Sequence, residues 1–170
     1  MKTKLIPFLM IAISVLFFAC DEDSIIESVL GTNNMTLSGD INKTIDASSI
    51  AGLIVEDSTS IFTIFVQPKN SLSINTDVLG MTKLSEVIPP VGSYKIGTEF
   101  LVGNDFLATY SLNDSTIYFM STGTVKITKS SSSKVEGTFD LSGYQLTFPV
   151  DSTRVLNIAG EFSTIPQDLD

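Results

Sequence analysis

Apolar and polar residues alternate with a period of two along most of the chain after Met35, a pattern typical of half-buried β-strands. The clearest segment is 134–141, whose odd positions are apolar or Gly and whose even positions are polar. Clusters of Gly, Pro, Asn, Asp and Ser separate the segments. The other predicted inward faces are Leu37 with Ile41, Leu72 with Ile74, Phe106 with Ala108, Tyr110 and Leu112, Ile117 with Phe119, Val125 with Ile127, Tyr144 with Leu146 and Phe148, and Leu156 with Ile158, Gly160 and Phe162.

Nine or ten short strands at this spacing predict an all-β domain, either an antiparallel β-sandwich or a partly closed β-barrel. Strand register and barrel closure are not visible in a sequence, so both architectures stay open at this point. The segment 61–66 is apolar on both faces, which predicts a central strand covered on two sides. Only 77–91 lacks a strand pattern; we expect one helical turn at 82–87, ended by Pro89 and Pro90.

The N-terminus has the pattern of a signal peptide. A basic start, residues 1–4, precedes 15 apolar or small residues at 5–19, fewer than the ~20 that a membrane-spanning helix needs. The segment ends in Ala19-Cys20, which resembles the lipobox of bacterial lipoproteins. Residues 1–19 are therefore predicted to be removed and Cys20 to carry the lipid, the alternative being a free thiol in an ordinary secreted protein. Cys20 is the chain's only cysteine, so no internal disulfide can form.

The residues after Cys20 suggest where the protein is sent. Asp21-Glu22-Asp23 resembles the acidic export signal of surface-exposed Bacteroidota lipoproteins. We therefore expect an outer-membrane lipoprotein on the cell surface, with the periplasmic face, and a merely charged tether, as alternatives. The expected organisation is a lipidated Cys and flexible tether at 20–34, one β-domain at 35–165 and a tail at 166–170.

The charge of the chain excludes some partners. The formal net charge is −9, and loss of Lys2 and Lys4 with the signal peptide makes it −11. Such a domain is repelled by nucleic acid and by anionic lipid surfaces. We expect no nucleic-acid partner, and contact with the membrane only through the N-terminal lipid.

Four segments, 92–94, 121–128, 135–139 and 158–162, follow one another in an order that resembles uncharacterised Bacteroidota surface lipoproteins built as single β-rich domains. The residues that carry this resemblance are turn glycines and core apolar residues. The resemblance therefore implies a fold and a location. It implies no catalytic or binding residue, since none is known for that family.

The residue types present argue against catalysis. The chain has no His, and its one thiol is expected to be lipidated, so His-dependent triads and imidazole metal ligands are excluded. No phosphate-binding glycine loop is present, and we expect no cofactor. Paired carboxylates remain, but the acids of the strands fall on predicted outward faces; these are Asp40, Glu136, Asp140 and Glu161.

These observations favour a non-enzymatic envelope module that binds a partner protein or a glycan, or supports one structurally. The alternative is a lipocalin-like carrier of a small apolar ligand. Its cavity would be lined by phenylalanines, which could equally fill a solid core: Phe62, Phe65, Phe100, Phe106, Phe139, Phe148 and Phe162. Hydrolysis by paired carboxylates is a third, weaker hypothesis.

Loop residues suggest modification more than metal binding. The segments 103–105 and 113–115 offer oxygen ligands, but neither has the spacing of a calcium loop, so no metal site is predicted. Four Asp-Ser pairs resemble the acceptor of the Bacteroidota O-glycosylation system, although Asp-Ser is also common in turns. The candidate serines are Ser24, Ser58, Ser115 and Ser152. Tyr118, predicted to point outward, is a candidate for sugar stacking or cross-strand packing.

Overall fold

The alternation of side chains continues through ten strands, and no helix occurs in the described ranges. The computed structural model describes residues 31–56, 59–69, 76–98, 105–146 and 153–168. The predicted strand with Leu72 and Ile74 lies outside them, as do Phe100 and Phe148. The strands are β1 (Gly31–Gly39), β2 (Lys43–Glu56), β3 (Thr59–Pro68), β4 (Val78–Leu84), β5 (Gly92–Lys95), β6 (Leu107–Asn113), β7 (Thr116–Ser131), β8 (Lys134–Gln145), β9 (Val155–Thr164) and β10 (Pro166–Asp168).

Eight strands form a closed antiparallel barrel. Pairing follows chain order through β1, β2, β3, β4, β6, β7, β8 and β9, and β9 returns to pair with β1. Of the two predicted architectures, the chain therefore adopts the barrel. β5 pairs with β7, and β10 adds to β2 in the parallel direction.

The two ends of the barrel differ. We call the upper end the one at which β1 starts and at which the long β4–β6 connection lies. The lower end carries the β1–β2, β3–β4, β6–β7 and β8–β9 connections.

Most of the buried side chains in the described ranges are apolar. Phe62, Phe106, Phe139 and Phe162 are each at most 2% exposed. On β8 the inward positions Val135, Gly137, Phe139 and Leu141 are all buried, as the sequence predicts. At about 25 cal/mol per Å² of apolar surface, burial of each such side chain contributes roughly 1.5–3 kcal/mol.

On two strands, the residues predicted to point inward point outward. Tyr118 points inward and is buried, whereas Ile117 and Phe119 lie on the outer wall. Tyr144 is likewise outside, where its ring packs against that of Phe119 with centroids 6.2 Å apart. In β7 the inward positions change from even to odd numbers at the register irregularity between Met120 and Thr122. β8 keeps the same inward positions to its end, with Gln145 as the last of them, so Tyr144 lies outside.

The barrel extends beyond the expected boundaries of 35–165. β1 begins at Gly31, so residues 31–34 of the predicted tether belong to a strand. Asn33 is inward and buried, and its amide donates to Ser49 Oγ at 2.8 Å, which explains why the segment does not look apolar. Residues 166–168 of the predicted tail form β10.

The helical turn expected at 82–87 is absent, because β4 runs through Leu84. The strand follows the barrel's alternation, with Leu79, Met81 and Lys83 inward. Double coverage of 61–66 holds only in part. Of its outward residues, Thr63 is buried, whereas Ile61 and Phe65 are half-buried on the outer wall.

Candidate functional site

At the upper end, the pairing between β4 and β6 stops before β4 ends. The two strands pair only over Val78–Thr82, so Lys83 and Leu84 lie beyond the paired stretch. At this level of the barrel β7 pairs with β5 instead of β6, and within the described chain no pairing joins β5 to β4. β4 and β5 are therefore separated by a gap.

A cavity of about 870 Å³ occupies this gap. We call it the lateral cleft; its walls are residues 83–86, Pro90, residues 93–95 and Asp105. Its volume lies within the ~300–1,000 Å³ of small-molecule sites. Four of the nine wall residues are charged, two lysines and two acids, so the cleft suits a polar ligand better than an apolar one.

Lys83 and Tyr94 face each other across the cleft. Lys83 occupies an inward position of β4 and is 4% exposed. Its Nζ lies 5.7 Å from the centroid of the Tyr94 ring, within the range of a cation–π contact. Tyr94 is fixed in turn, because its ring packs edge-on against Phe106 and its hydroxyl donates to the Pro90 carbonyl at 2.6 Å.

The surroundings of Lys83 disfavour the protonated form of its amine. Burial lowers the pKa of the Lys83 amine, and the nearby Asp105 carboxylate raises it in part. Removing an ammonium group from water costs free energy, which the contacts of the amine must offset.

Hydrogen bonds hold the loop that borders the cleft. Ser130 Oγ donates to the Pro89 carbonyl at 2.7 Å, and Ser85 Oγ donates to the Val87 carbonyl at 2.6 Å. Val87 and Val91 on this loop are 63% and 62% exposed. The cleft therefore has a fixed rim that presents apolar side chains to solvent.

At the lower end, tyrosines are hydrogen-bonded to turn carboxylates. Tyr110 and Lys43 both donate to Asp77 Oδ1, and Tyr118 donates to Asp40 Oδ2. Burial and these bonds raise the pKa of Tyr118 to about 12 and also raise that of Tyr110. The bonds tie the turn residues of the lower end to the barrel core.

A second, shallower cavity of about 330 Å³ lies on the outer wall over β1, β8 and β9. Ala159, whose small side chain is exposed, is one of its wall residues. Glu161 is its only charged wall residue, so it lacks opposed ionic groups that could orient a polar ligand.

The residues predicted from sequence are not brought together. Ser115 lies in the exposed β6–β7 turn, where its N–H and Oγ both donate to Asn113 Oδ1 at 3.0 Å. Cys20, Ser24, Ser58 and Ser152 lie outside the described residues. Glu136, Asp140 and Glu161 are on the outer wall as predicted, but Asp40 is in the β1–β2 turn, where its carboxylate accepts the Tyr118 bond.

Sequence reasoning missed the lateral cleft. Lys83 interrupts an apolar alternation at an inward position, so 77–91 seemed to lack a strand. The available signal was the pair Leu79 and Met81 followed, two positions later, by a charged residue. Among the described residues, no three His, Cys, Asp or Glu side chains converge as metal ligands, and no helix has the length and hydropathy to cross a bilayer.

Comparison with known proteins returns no match to a family model, to a curated protein or to a solved structure.

Proposed function

We propose that this chain is a lipid-anchored, non-catalytic binding module of the bacterial envelope, and that its ligand occupies the lateral cleft. One observation carries the proposal: the cleft is an open cavity of about 870 Å³ whose floor holds a buried lysine, Lys83, facing a fixed aromatic ring, Tyr94. Such convergence of polar groups in a concave site is the usual form of a small-ligand site.

A lipocalin-like carrier is the second candidate, because a closed eight-stranded meander is the architecture that such carriers use. The barrel interior favours the first candidate, the binding module. Phe62, Phe106, Phe139 and Phe162 pack into the core, and Phe65 lies on the outer wall. None of these five described phenylalanines lines either cavity.

The position of the anchor suits a site near the cell surface. β1 begins at the upper end, the end that carries the cleft. Residues 20–30 would span at most roughly 40 Å if fully extended. A ligand in the cleft would then belong to the envelope or to molecules that approach it.

Capture of partners by the tagged, full-length protein in its native host tests this proposal. Ser93 borders the cleft and is exposed, so Ser93→Tyr should block the cleft without disturbing the core. Ser38→Tyr, at an exposed position of β1, is the matched control. We expect the parent and Ser38→Tyr to recover the same partner or glycan after crosslinking, and Ser93→Tyr to lose it.

Undiminished recovery by Ser93→Tyr would show that the cleft is not the site. Recovery of no partner, with an apolar small molecule in the purified protein, would favour the carrier.

A further inference from the structure

The loop between β4 and β5 presents apolar side chains to solvent at the upper end. We call residues 85–91 the rim loop. Its Val87 and Val91 are 63% and 62% exposed, against 46% for Leu146, an apolar residue at the lower end. Pro90 is exposed as well, whereas Ile88 packs against the core. The rim loop is therefore seated on the barrel by one side chain and offers the others to a partner.

The backbone of the rim loop needs few hydrogen bonds from water. Three of its carbonyls accept hydrogen bonds from side-chain hydroxyls, at 2.6, 2.6 and 2.7 Å: Val87 from Ser85, Pro90 from Tyr94 and Pro89 from Ser130. Its two prolines have no N–H group to satisfy. Because a backbone group left unbonded in lipid is costly, this loop can leave water at a lower cost than an ordinary loop.

The rim loop lies at the end of the barrel at which the first strand begins. β1 starts there at Gly31, and β4 ends there at Leu84. In the proposed function, a lipid on Cys20 holds this end within roughly 40 Å of the bilayer. Burial of two valines alone would bind a domain to lipid only weakly. A tether of this length raises the effective concentration of the loop at the surface, which makes weak insertion sufficient.

The charges near the rim loop favour a neutral lipid surface. The chain has a net charge of −9, so an anionic bilayer would repel it, whereas a zwitterionic bilayer would not. Glu86 of the loop is exposed, and so is Lys129, the neighbour of the Ser130 that bonds to the loop. One charge of each sign beside the valines matches the phosphate and the ammonium group of a zwitterionic headgroup.

We propose that the rim loop inserts Val87 and Val91 into the interface of a zwitterionic bilayer and so holds the upper end of the barrel on the membrane. This contact is additional to the N-terminal lipid, and it rests on the proposed function only for the anchor that brings the loop to the bilayer. The lateral cleft shares Ser85, Glu86 and Pro90 with the loop, so it would lie beside the lipid headgroups.

A single tryptophan reports whether the loop enters lipid, because the chain has no Trp of its own. Full-length Val91→Trp is attached to phosphatidylcholine vesicles with or without bromine on the acyl chains, which quenches an indole only at the membrane. We expect bromination to lower the emission at least about twofold. Val155→Trp, at an exposed valine of the lower end, is the matched control and should keep its emission.

Charged variants test the native side chains. In the Val91→Trp background, Val87→Asp should remove the quenching, because a carboxylate resists transfer out of water. Leu146→Asp places the same charge at an exposed apolar position of the lower end and should leave the quenching unchanged. Both positions are exposed, so we expect an unchanged Tm for both variants, which separates loss of contact from loss of the fold.

The attachment to the vesicles does not depend on the proposed anchor. Protein that carries its own lipid is reconstituted directly. Protein without one is coupled through the thiol of Cys20, the chain's only cysteine, to a maleimide phospholipid. A need for this coupling would disprove the anchor of the proposed function and would still leave the rim loop tested.

Three results would overturn the inference: no quenching at position 91 on vesicles that carry the protein, equal quenching at positions 91 and 155, or quenching that survives Val87→Asp. A blue shift of the position-91 emission that follows protein concentration, and not the presence of vesicles, would also overturn it. That result would assign the two valines to a contact between two copies of the chain.

Discussion

Gly137 of β8 lies directly opposite Phe162 of β9, and the Phe162 ring occupies the space where a side chain at position 137 would begin. The relationship is reciprocal, because Phe139 covers Gly160 in the same way two residues along the pair. Each glycine thus leaves space for the aromatic ring that faces it from the neighbouring strand.

Gly137→Ala should therefore be strongly destabilising. The new Cβ would lie 2.2 Å from the Lys126 carbonyl oxygen and 2.4 Å from Phe162 Cζ, and the carbonyl belongs to the backbone and cannot turn away. We expect the free energy of unfolding to fall by at least about 2 kcal/mol, measured by chemical denaturation.

Gly92→Ala is the control, since the nearest atom to its Cβ would be 3.6 Å away. It should be neutral or stabilising by up to about 1 kcal/mol. Equal effects of the two variants would contradict the packing described for Gly137.

Tyr118→Phe should make stability less sensitive to alkaline pH. The folded state holds the Tyr118 proton up to about pH 12, while the unfolded chain releases it near the usual pKa of 10.0. Between these values the unfolded state binds fewer protons, so stability falls as the pH rises. The slope of the unfolding free energy against pH between pH 10 and 12 should be smaller in the variant. It should not vanish, because the raised pKa of Tyr110 also contributes to it. Parallel curves for parent and variant would contradict this.

Asp77→Asn should destabilise the lower end without changing its backbone. Asp77 has φ 61°, a left-handed conformation that Asn also tolerates, so this change isolates the carboxylate that Lys43 and Tyr110 share. We expect a loss of about 1–3 kcal/mol by chemical denaturation. Asp77→Ala should cost more, because Ala tolerates the conformation less well. In a Lys43→Met background the cost of Asp77→Asn should shrink, and an unchanged cost would show that the ion pair does not contribute.

Cys20→Ala should release the protein from the membrane or leave an unprocessed precursor. Diacylglycerol and an amide-linked acyl chain bury many more methylene groups than one myristoyl chain, which alone binds only marginally. Fractionation of host cells and gel mobility measure both effects. A variant that stays membrane-bound at the parent's size would disprove the anchor, and protease added to whole cells tests surface exposure separately.

The glycosylation prediction concerns Ser115 most directly, because its exposed turn is accessible to an enzyme. Protein from its native host should weigh more than polypeptide plus lipid by intact mass spectrometry. If Ser115 is an acceptor, Ser115→Ala should remove the mass of one glycan. Ser133→Ala, an exposed turn serine with no preceding Asp, should remove none.

The alternation of apolar and polar residues was enough to predict the fold class and most strands, because a strand shows this pattern wherever its inward residues are apolar. It failed where an inward residue is polar for a local reason. The inward side chain of Tyr118 donates a hydrogen bond to Asp40, and the inward Asn33 amide donates one to Ser49 across the β1–β2 pair. Because the inward Lys83 is charged, the sequence pattern predicted neither β4 nor the lateral cleft. Barrel closure could not be predicted, because the β1–β9 pairing joins residues far apart in sequence and has no local signature.

That closing pair also sets the order in which the barrel can be assembled during folding. β2 is shared along one edge by β1, near the start of the described chain, and by β10, near its end. The pairings from β2 to β8 join strands that are close in the chain and can form first, but β1 has no partner for its other edge until β9 folds onto it. A partly folded chain therefore exposes unpaired strand edges until almost the whole barrel has formed, and this interval is when chaperones would matter most.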